Sequence, residues 1–182
     1  MQRRLLLNQE RLSITIARLC QQLIENHGDF SDSVILGMQP RGIYLAERIT
    51  SNLKEQLGQE IPLGYLDTTF YRDDFRRRDA PLKPNETRVP FIIEHKKVIL
   101  IDDVLYTGRS VRAALDAMIA FGRPQKVEFL VLIDRMYTRE IPVEASYIGK
   151  KVNTNEDEKV LVELKEQDGD DSIWLVKRED LL

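Results

Sequence analysis

The sequence has few of the residues that build cross-linked or metal-stabilised folds. It contains one cysteine, Cys20, and two histidines, His27 and His95, among its 182 residues. A single cysteine excludes an internal disulfide bond, and these three side chains are too few for a zinc site. We therefore expect a fold that depends on a hydrophobic core, with no metal held by the protein alone.

Long hydrophobic runs are also absent, because no segment approaches the ~20 apolar residues that a membrane-spanning helix needs. The first residues lack the basic, apolar and cleavage-site pattern of a secretory signal. Hydrophobic residues still make up 42% of the chain and charged residues 31%, a composition that excludes global disorder. These features predict a soluble, cytoplasmic protein without a membrane partner, folded as a single domain over residues 1–182.

The net charge is slightly negative, but it is unevenly distributed. The 27 Lys and Arg residues face 30 Asp and Glu residues, which gives a net charge of −3. From residue 156 onward there are ten acidic and four basic residues, so residues 1–155 carry a positive balance. Since polyanion binding depends on the local field, the acidic total does not exclude a phosphate-rich ligand.

The hydropathy pattern predicts an α/β domain. Apolar residues at helical spacing predict helices over 8–28, 42–57 and 108–121. Apolar runs predict strands over 33–38, 63–71, 97–102 and 127–134, with shorter strands near 145–148, 159–164 and 172–176. Strands that alternate with helices form a parallel sheet flanked by helices, here with a small additional β region. Residues 72–90 are polar and proline-containing, which predicts a long loop.

One segment, residues 98–110, combines two kinds of binding chemistry. Four apolar residues precede Asp102 and Asp103, which places both carboxylates at the end of a buried strand. Carboxylates accept hydrogen bonds and therefore suit a vicinal diol. The turn from Thr107 to Ser110 opens a helix, whose N-terminal N–H groups suit a phosphate. Two aspartates before a turn can simply cap a helix, but the complete segment favours a phosphorylated ribose as ligand.

This segment resembles the phosphoribosyl pyrophosphate (PRPP) signature of type I phosphoribosyltransferases. More narrowly, the sequence is similar to the PyrR group, which combines pyrimidine-operon attenuation with uracil phosphoribosyltransferase activity. The similarity extends to segments 41–46, 71–74, 122–124, 133–135 and 147–150. It implies the type I phosphoribosyltransferase fold, with a flexible catalytic loop over about 71–90 and a small β region, the hood, over about 134–155.

The resemblance also implies roles for individual residues. The ribose and 5-phosphate of PRPP are bound by Asp102, Asp103, Thr107, Gly108, Arg109 and Ser110. The pyrophosphate loop contains Gln39, Pro40, Arg41 and Gly42. The hood faces the base through Asp134, Arg135 and Ile148. The catalytic residues are Asp102, Asp103 and Arg72.

The reaction implied by the resemblance converts PRPP and uracil into UMP and pyrophosphate. Mg²⁺ accompanies PRPP in this reaction and shields the leaving pyrophosphate. The transition state resembles an oxocarbenium ion, so the nearby carboxylates oppose developing positive charge at the ribose. The resemblance further implies a homodimer or a higher homo-oligomer.

Several positions differ from the pattern of the PyrR group. Gln39 replaces a common lysine of the pyrophosphate loop, and Met136, Tyr137 and Thr138 lengthen the hood by one residue. The resemblance therefore identifies the sugar-phosphate ligand more firmly than the base that the enzyme uses.

The positions that bind RNA in the PyrR group also differ. Ala17 and Gln21 replace Thr and His of the first helix, and Glu144 replaces an arginine, whereas Lys150 is retained. Because phosphate neutralisation dominates RNA affinity, the lost contacts predict weaker RNA binding.

Three alternatives therefore stand beside the uracil enzyme. The first is a pyrimidine-operon mRNA-binding attenuator that senses UMP, and the second is a phosphoribosyltransferase for another base. The third is a non-catalytic nucleotide sensor on the same fold. Other residues receive structural interpretations: Cys20 and Trp174 are predicted to pack in the core, His27 to lie at a helix C-terminus, and Asp168–Asp171 to form a solvated turn.

Overall fold

A five-stranded parallel sheet lies at the centre of the computed structural model, which describes residues 3–74, 84–177 and 179. Its strands, in spatial order, are β3 (Leu63–Leu66), β2 (Ser33–Met38), β4 (Lys97–Leu105), β5 (Lys126–Met136) and β6 (Tyr147–Asn153). All neighbouring pairs are parallel. The predicted α/β fold with a parallel sheet is therefore confirmed.

Helices cover both faces of this sheet. Helix α1 (Gln9–His27) and helix α2 (Gly42–Leu57) pack on one face, and helix α3 (Arg109–Met118) packs on the other. Ile99 and Ile101 of β4 belong to the core on the α1–α2 face, whereas Val98 and Leu100 belong to the core on the α3 face. This alternation explains the continuous apolar run of β4, because both faces of the strand are buried.

A second, antiparallel sheet contains the N-terminal strand. It is formed by β1 (Arg3–Leu7), β8 (Ser172–Lys177) and β7 (Glu158–Glu163), in that order, and the short helix α4 (Lys165–Asp168) lies between β7 and β8. The segment predicted as the hood, 134–155, contains the end of β5 and all of β6, which pair with each other in the central sheet. The small sheet therefore lies outside that segment.

Several strand boundaries differ from the sequence prediction, and two of them lie next to the cavities described below. The strand predicted over 63–71 is wrong beyond Leu66, because a 3₁₀ turn occupies Thr69–Tyr71 and the carboxylate of Asp67 accepts a hydrogen bond from the Thr69 hydroxyl at 2.7 Å. The strand predicted over 97–102 continues to Leu105 because β5 pairs with it along that length. Within the described residues, no helix has the length and apolar character to cross a membrane.

Candidate functional site

The two adjacent aspartates lie near the carboxyl end of β4, where they separate two cavities. Asp102 lines a cavity of about 600 Å³ together with Arg72 and residues 104–111. Asp103 lines a neighbouring cavity of about 730 Å³ together with Arg41, Arg135 and residues 159–162. Successive side chains of a strand point to opposite sides, which accounts for this division. Val104 and Tyr106 contribute to both cavities, so the two spaces adjoin.

Both aspartates are held in an environment that disfavours their charge. Burial raises the pKa of Asp102 well above its usual value, and the charge of Asp103 adds to this effect. Burial also raises the pKa of Asp103, while Arg41 opposes the increase from 3.4 Å away. A ligand that donates hydrogen bonds or brings a cation would therefore stabilise the ionised pair.

The turn after β4 forms the wall of the smaller cavity. Gly108 has a φ of 89°, a left-handed conformation that favours glycine, and α3 begins at the next residue. The Ser110 hydroxyl lies 3.4 Å from the guanidinium of Arg72. Residues 107–111 line this cavity, and the free N–H groups at the first turn of a helix suit an anion.

Arg109 connects this turn to two other segments. Its guanidinium pairs with Asp73 at 2.5 Å and with Glu140 at 2.6 Å. Arg72 in turn holds Asp74 through two hydrogen bonds of 2.9 and 3.1 Å. The beginning of the predicted catalytic loop thus contacts the turn 107–110, whereas its residues 75–83, including Arg76, Arg77 and Arg78, lie outside the described residues.

The predicted pyrophosphate loop lies against β4 on the side of the larger cavity. The Gln39–Pro40 peptide bond is cis, and the Gln39 amide donates to the Glu86 carbonyl at 2.6 Å. Gly42 opens α2 so close to β4 that an added Cβ would stand 2.5 Å from the Ile101 carbonyl oxygen. Glycine at this position therefore brings the helix N-terminus and Arg41 next to the aspartates.

Arg41 itself is engaged by β7 and by the segment between β7 and β8. Its guanidinium donates to Gln167 at 2.8 Å, to Asp168 at 2.8 Å and to the Val162 carbonyl. The hydrogen bond from Arg41 lowers the pKa of Asp168. The interpretation of Asp168–Asp171 as a merely solvated turn is therefore wrong, because two of these carboxylates pair with arginines of the α2 region.

The predicted base-facing residues occupy different positions. Arg135 is buried, lies 3.9 Å from the centre of the Tyr106 ring and borders the larger cavity. Asp134 pairs with Arg139, outside the residues that line either cavity. Ile148 lies on β6 and packs against the core on the α3 face. Sequence reasoning missed Tyr106 and residues 159–162, although Tyr106 stands within the motif segment.

The donor set between the cavities fits a hard divalent cation. Asp102 and Asp103 offer carboxylate oxygens, the ligands that Mg²⁺ prefers, and a bound cation would oppose the burial that raises the pKa of both groups. Within the described part of the chain, no group of three or more His, Cys, Asp or Glu side chains could hold a metal ion. The arrangement suits a cation that arrives with a phosphate ligand.

A basic groove lies apart from these cavities, between β1, β6 and β8. Its volume is about 900 Å³, and the cationic residues that line it are Arg3, Arg4, Arg11, Lys150, Lys151 and Lys177. Glu158 is the acidic residue among its lining side chains. Ala17, Gln21 and Glu144, the positions that differ from the PyrR pattern, are exposed but do not line this groove.

Comparison with known proteins agrees with this architecture. The family model "Phosphoribosyl transferase domain" matches residues 4–167. A "Bifunctional protein PyrR" from Deinococcus radiodurans is 44% identical over 176 residues, which cover 97% of this chain and 96% of that protein. The "Pyrimidine operon regulatory protein" of Lactococcus lactis subsp. lactis is 42% identical over 180 residues, which cover 99% of this chain and 100% of that protein.

Solved structures show the same fold at low sequence identity. The hypoxanthine phosphoribosyltransferase of Trypanosoma cruzi superposes with a TM-score of 0.73 at 12% identity, and the match covers 96% of each chain. A hypoxanthine-guanine phosphoribosyltransferase from Bacillus anthracis gives a TM-score of 0.70 at 16% identity, with 97% of this chain and 99% of that chain covered. At this identity the similarity concerns the fold alone.

Proposed function

The chain belongs to the phosphoribosyltransferase family, within its PyrR group, and we propose that it transfers the phosphoribosyl group of PRPP to uracil. The observation that carries the proposal is the position of Asp102 and Asp103 between two adjoining cavities, beside the turn 107–110. The smaller cavity suits the ribose 5-phosphate, because a helix N-terminus borders it. The larger cavity has room for the base and the pyrophosphate.

In this reaction, the bond between the anomeric carbon of the ribose and the pyrophosphate oxygen breaks. A bond forms between that carbon and a ring nitrogen of uracil, whose proton passes to the solvent. Asp102 and Asp103 accept hydrogen bonds from the ribose hydroxyls and oppose the positive charge that develops on the sugar. Arg72 lines the smaller cavity and Arg41 lines the larger cavity. The two arginines would therefore approach the phosphate groups of PRPP from opposite sides. Mg²⁺ bound with PRPP supplies further charge neutralisation for the leaving pyrophosphate.

In this proposal, the residues that line the larger cavity determine which base is the substrate. The relative named "Pyrimidine operon regulatory protein" favours a pyrimidine, whereas the fold is also that of hypoxanthine phosphoribosyltransferases. Val160, Val162 and Tyr106 provide an apolar lining for a flat ring. A PRPP-dependent assay across uracil, hypoxanthine, guanine and orotate tests the choice. Formation of UMP supports the proposal, and turnover with a purine or orotate alone contradicts it.

A second function, RNA binding, is favoured by the basic groove. Six cationic side chains line one cavity, and curated relatives of the chain are named as pyrimidine operon regulators. We propose that RNA phosphates bind in this groove, separately from the PRPP site. A gel-shift titration with pyrimidine-operon leader RNA, with and without UMP, tests this function. Binding that weakens with salt supports it, and absent or salt-insensitive binding contradicts it.

The family also leads us to propose a homodimer or a larger homo-oligomer. Light scattering of the purified full chain during size-exclusion chromatography measures the molar mass directly. A mass of 21.2 kDa, that of one chain, at micromolar concentration would contradict this proposal.

A further inference from the structure

The loop between β7 and β8, residues 164–171, here called the acidic loop, folds onto helix α2. Arg48 of α2 donates to Glu166 and to Asp171, each at 2.6 Å. The Asp171 carboxylate also accepts a hydrogen bond from the Lys165 N–H at 2.9 Å. These contacts hold the acidic loop against the helix that begins with the pyrophosphate loop.

The acidic loop and the adjoining strand β7 occupy most of the hydrogen-bond donors of Arg41. A guanidinium has five N–H donors, and three of those of Arg41 are used by Gln167, Asp168 and the Val162 carbonyl. The Nε atom faces Asp103 at 3.4 Å. Recognition of a phosphate by two parallel N–H groups therefore requires at least one of these partners to leave.

Asp168 is held in place independently of Arg41. Its carboxylate accepts a hydrogen bond from the Leu164 N–H at 2.8 Å, which closes the turn of the acidic loop. The side chains of Arg41 and Asp168 are 29% and 28% exposed, so an incoming anion can reach both. The carboxylate thus stands where a phosphate oxygen would meet the guanidinium.

We propose that the acidic loop restrains the active site by competition, with the Asp168 carboxylate occupying the donors of Arg41 until pyrophosphate replaces it. This inference rests on the proposed function, because it takes Arg41 to be a pyrophosphate-binding residue. Asp168 acts through Arg41 and is a positioning residue. Gln167, which binds the other terminal nitrogen, contributes to the same restraint.

The test measures binding of inorganic pyrophosphate, in the presence of Mg²⁺, to the full chain by isothermal titration calorimetry. In D168N, an amide replaces the carboxylate and can still accept the hydrogen bond from Leu164. We expect D168N to bind pyrophosphate about two- to fivefold more tightly than the wild type, the range of a partly exposed ion pair. The KM for PRPP should fall by a similar factor, while kcat changes less.

The matched control is D170N, which removes the same charge from the same loop. Asp170 is exposed and has no hydrogen bond or ion pair with any residue in the described part of the chain. We expect its pyrophosphate affinity to equal that of the wild type. A second variant, Q167A, leaves the Asp168 turn intact and should tighten binding in the same direction, so the proposal remains testable if D168N does not fold.

The outcomes separate this proposal from the proposed function. Equal or weaker pyrophosphate binding by folded D168N and Q167A, with normal binding by the wild type, overturns the competition and leaves the transferase function standing. Equal tightening in D168N and D170N also overturns it, because a general charge effect then explains the result. Absence of pyrophosphate binding in every variant overturns the role of Arg41, and the competition with it.

Discussion

At the residue scale, the proposed chemistry depends on two carboxylates that are neighbours in sequence but face different cavities. Asp102 lies beside Arg72, and Asp103 lies 3.4 Å from Arg41. Burial raises the pKa of both groups, so ionising them carries an electrostatic cost that the proposed sugar diol and cation would reduce. Replacing either carboxylate by an amide should therefore affect turnover far more than folding.

We expect D102N and D103N each to lower kcat/KM for UMP synthesis by about 100-fold or more, because each loses charge that opposes the developing cation. Thermal unfolding should show that both variants remain folded, since the amide has the same shape and relieves charge repulsion. D116N is the control, because Asp116 pairs with Arg112 on the exposed side of α3. Wild-type turnover by either D102N or D103N would contradict the catalytic assignment.

His27 shows how much a residue's role depends on its distant partners. The sequence predicts only a helix C-terminus, but the buried ring lies 2.7 Å from Glu128 and 2.7 Å from the Ser33 hydroxyl. Burial lowers the pKa of His27, and the neighbouring Glu128 only partly offsets this effect. We therefore assign a neutral ring whose Nε2–H donates to Glu128 and whose Nδ1 accepts from Ser33.

This arrangement predicts a pH-dependent stability. In the unfolded chain His27 titrates near its ordinary pKa of 6.5, whereas the folded protein binds that proton at lower pH. The free energy of unfolding should therefore fall as the pH drops below 6.5, by at most about 1.4 kcal/mol per pH unit for one proton. Urea unfolding between pH 5 and pH 8 measures the effect.

Two histidine variants provide the controls for this prediction. H27Q should be less stable at pH 8 and should lose the pH dependence near pH 6, because it removes the titrating group. H95Q should keep the wild-type dependence, since the His95 side chain is 86% exposed. An unchanged pH dependence in H27Q would assign the effect to another group.

At the element scale, the approach of α2 to β4 positions the predicted pyrophosphate loop. A Cβ on Gly42 would lie 2.5 Å from the Ile101 carbonyl and 3.0 Å from the Asp102 Cα, both of which belong to the backbone of β4. Because these atoms cannot move independently of the sheet, G42A should separate the helix N-terminus from the strand. We expect a stability loss of about 1–3 kcal/mol and impaired turnover.

Chemical denaturation and the UMP assay together check this prediction. S51A is the control, because Ser51 is exposed on the same helix and alanine favours helical conformation. Its stability and turnover should equal or slightly exceed those of the wild type. A fully active and stable G42A would show that the loop tolerates displacement from the aspartates.

The helices were predictable because their ends depend on local signals. Asn8 caps α1 by accepting a hydrogen bond from the Arg11 N–H, and Gly58 ends α2 in a left-handed conformation. Strand membership depends instead on partners far along the chain. Arg3–Leu7 pairs with β8, some 170 residues away, and no pattern in the local sequence predicts that pairing. The composition of the small sheet could therefore not be predicted from periodicity.

The same distinction applies to the candidate site. Asp102, Asp103 and the turn 107–110 are contiguous, so one segment of sequence identifies them. The contact between Arg41 and Asp168 joins residues 127 positions apart, and the sequence offers only two charges of opposite sign. Tyr106 and Arg135 likewise meet only when β4 and β5 pair.

At the scale of the whole molecule, the uneven distribution of charge corresponds to separate surfaces. Part of the acidic surplus of the last 27 residues lies in the acidic loop, where it neutralises Arg41 and Arg48. Positive charge is concentrated in the basic groove, where cationic residues from β1, α1, β6 and β8 converge. A net charge of −3 therefore coexists with a surface suited to a polyanion.

This separation predicts that RNA affinity can be changed without affecting catalysis. R4E and K151E each reverse a charge in the groove, away from both cavities of the proposed PRPP site. Each variant should bind pyrimidine-operon leader RNA more weakly, and the slope of log K against log salt should decrease by about 1 as a phosphate contact is lost. UMP synthesis should remain at the wild-type rate, because neither side chain lines either cavity of the proposed substrate site.

Gel-shift titrations at several salt concentrations, with parallel turnover assays, measure both quantities. K54E is the matched control, because Lys54 lies on α2 outside the groove and pairs with Glu60. The same charge reversal at that position should leave the salt slope unchanged. If RNA affinity falls equally in K54E and K151E, the effect is one of net charge alone, because a contact between RNA and the groove would affect only K151E. Wild-type affinity in both R4E and K151E would place any bound RNA outside the groove.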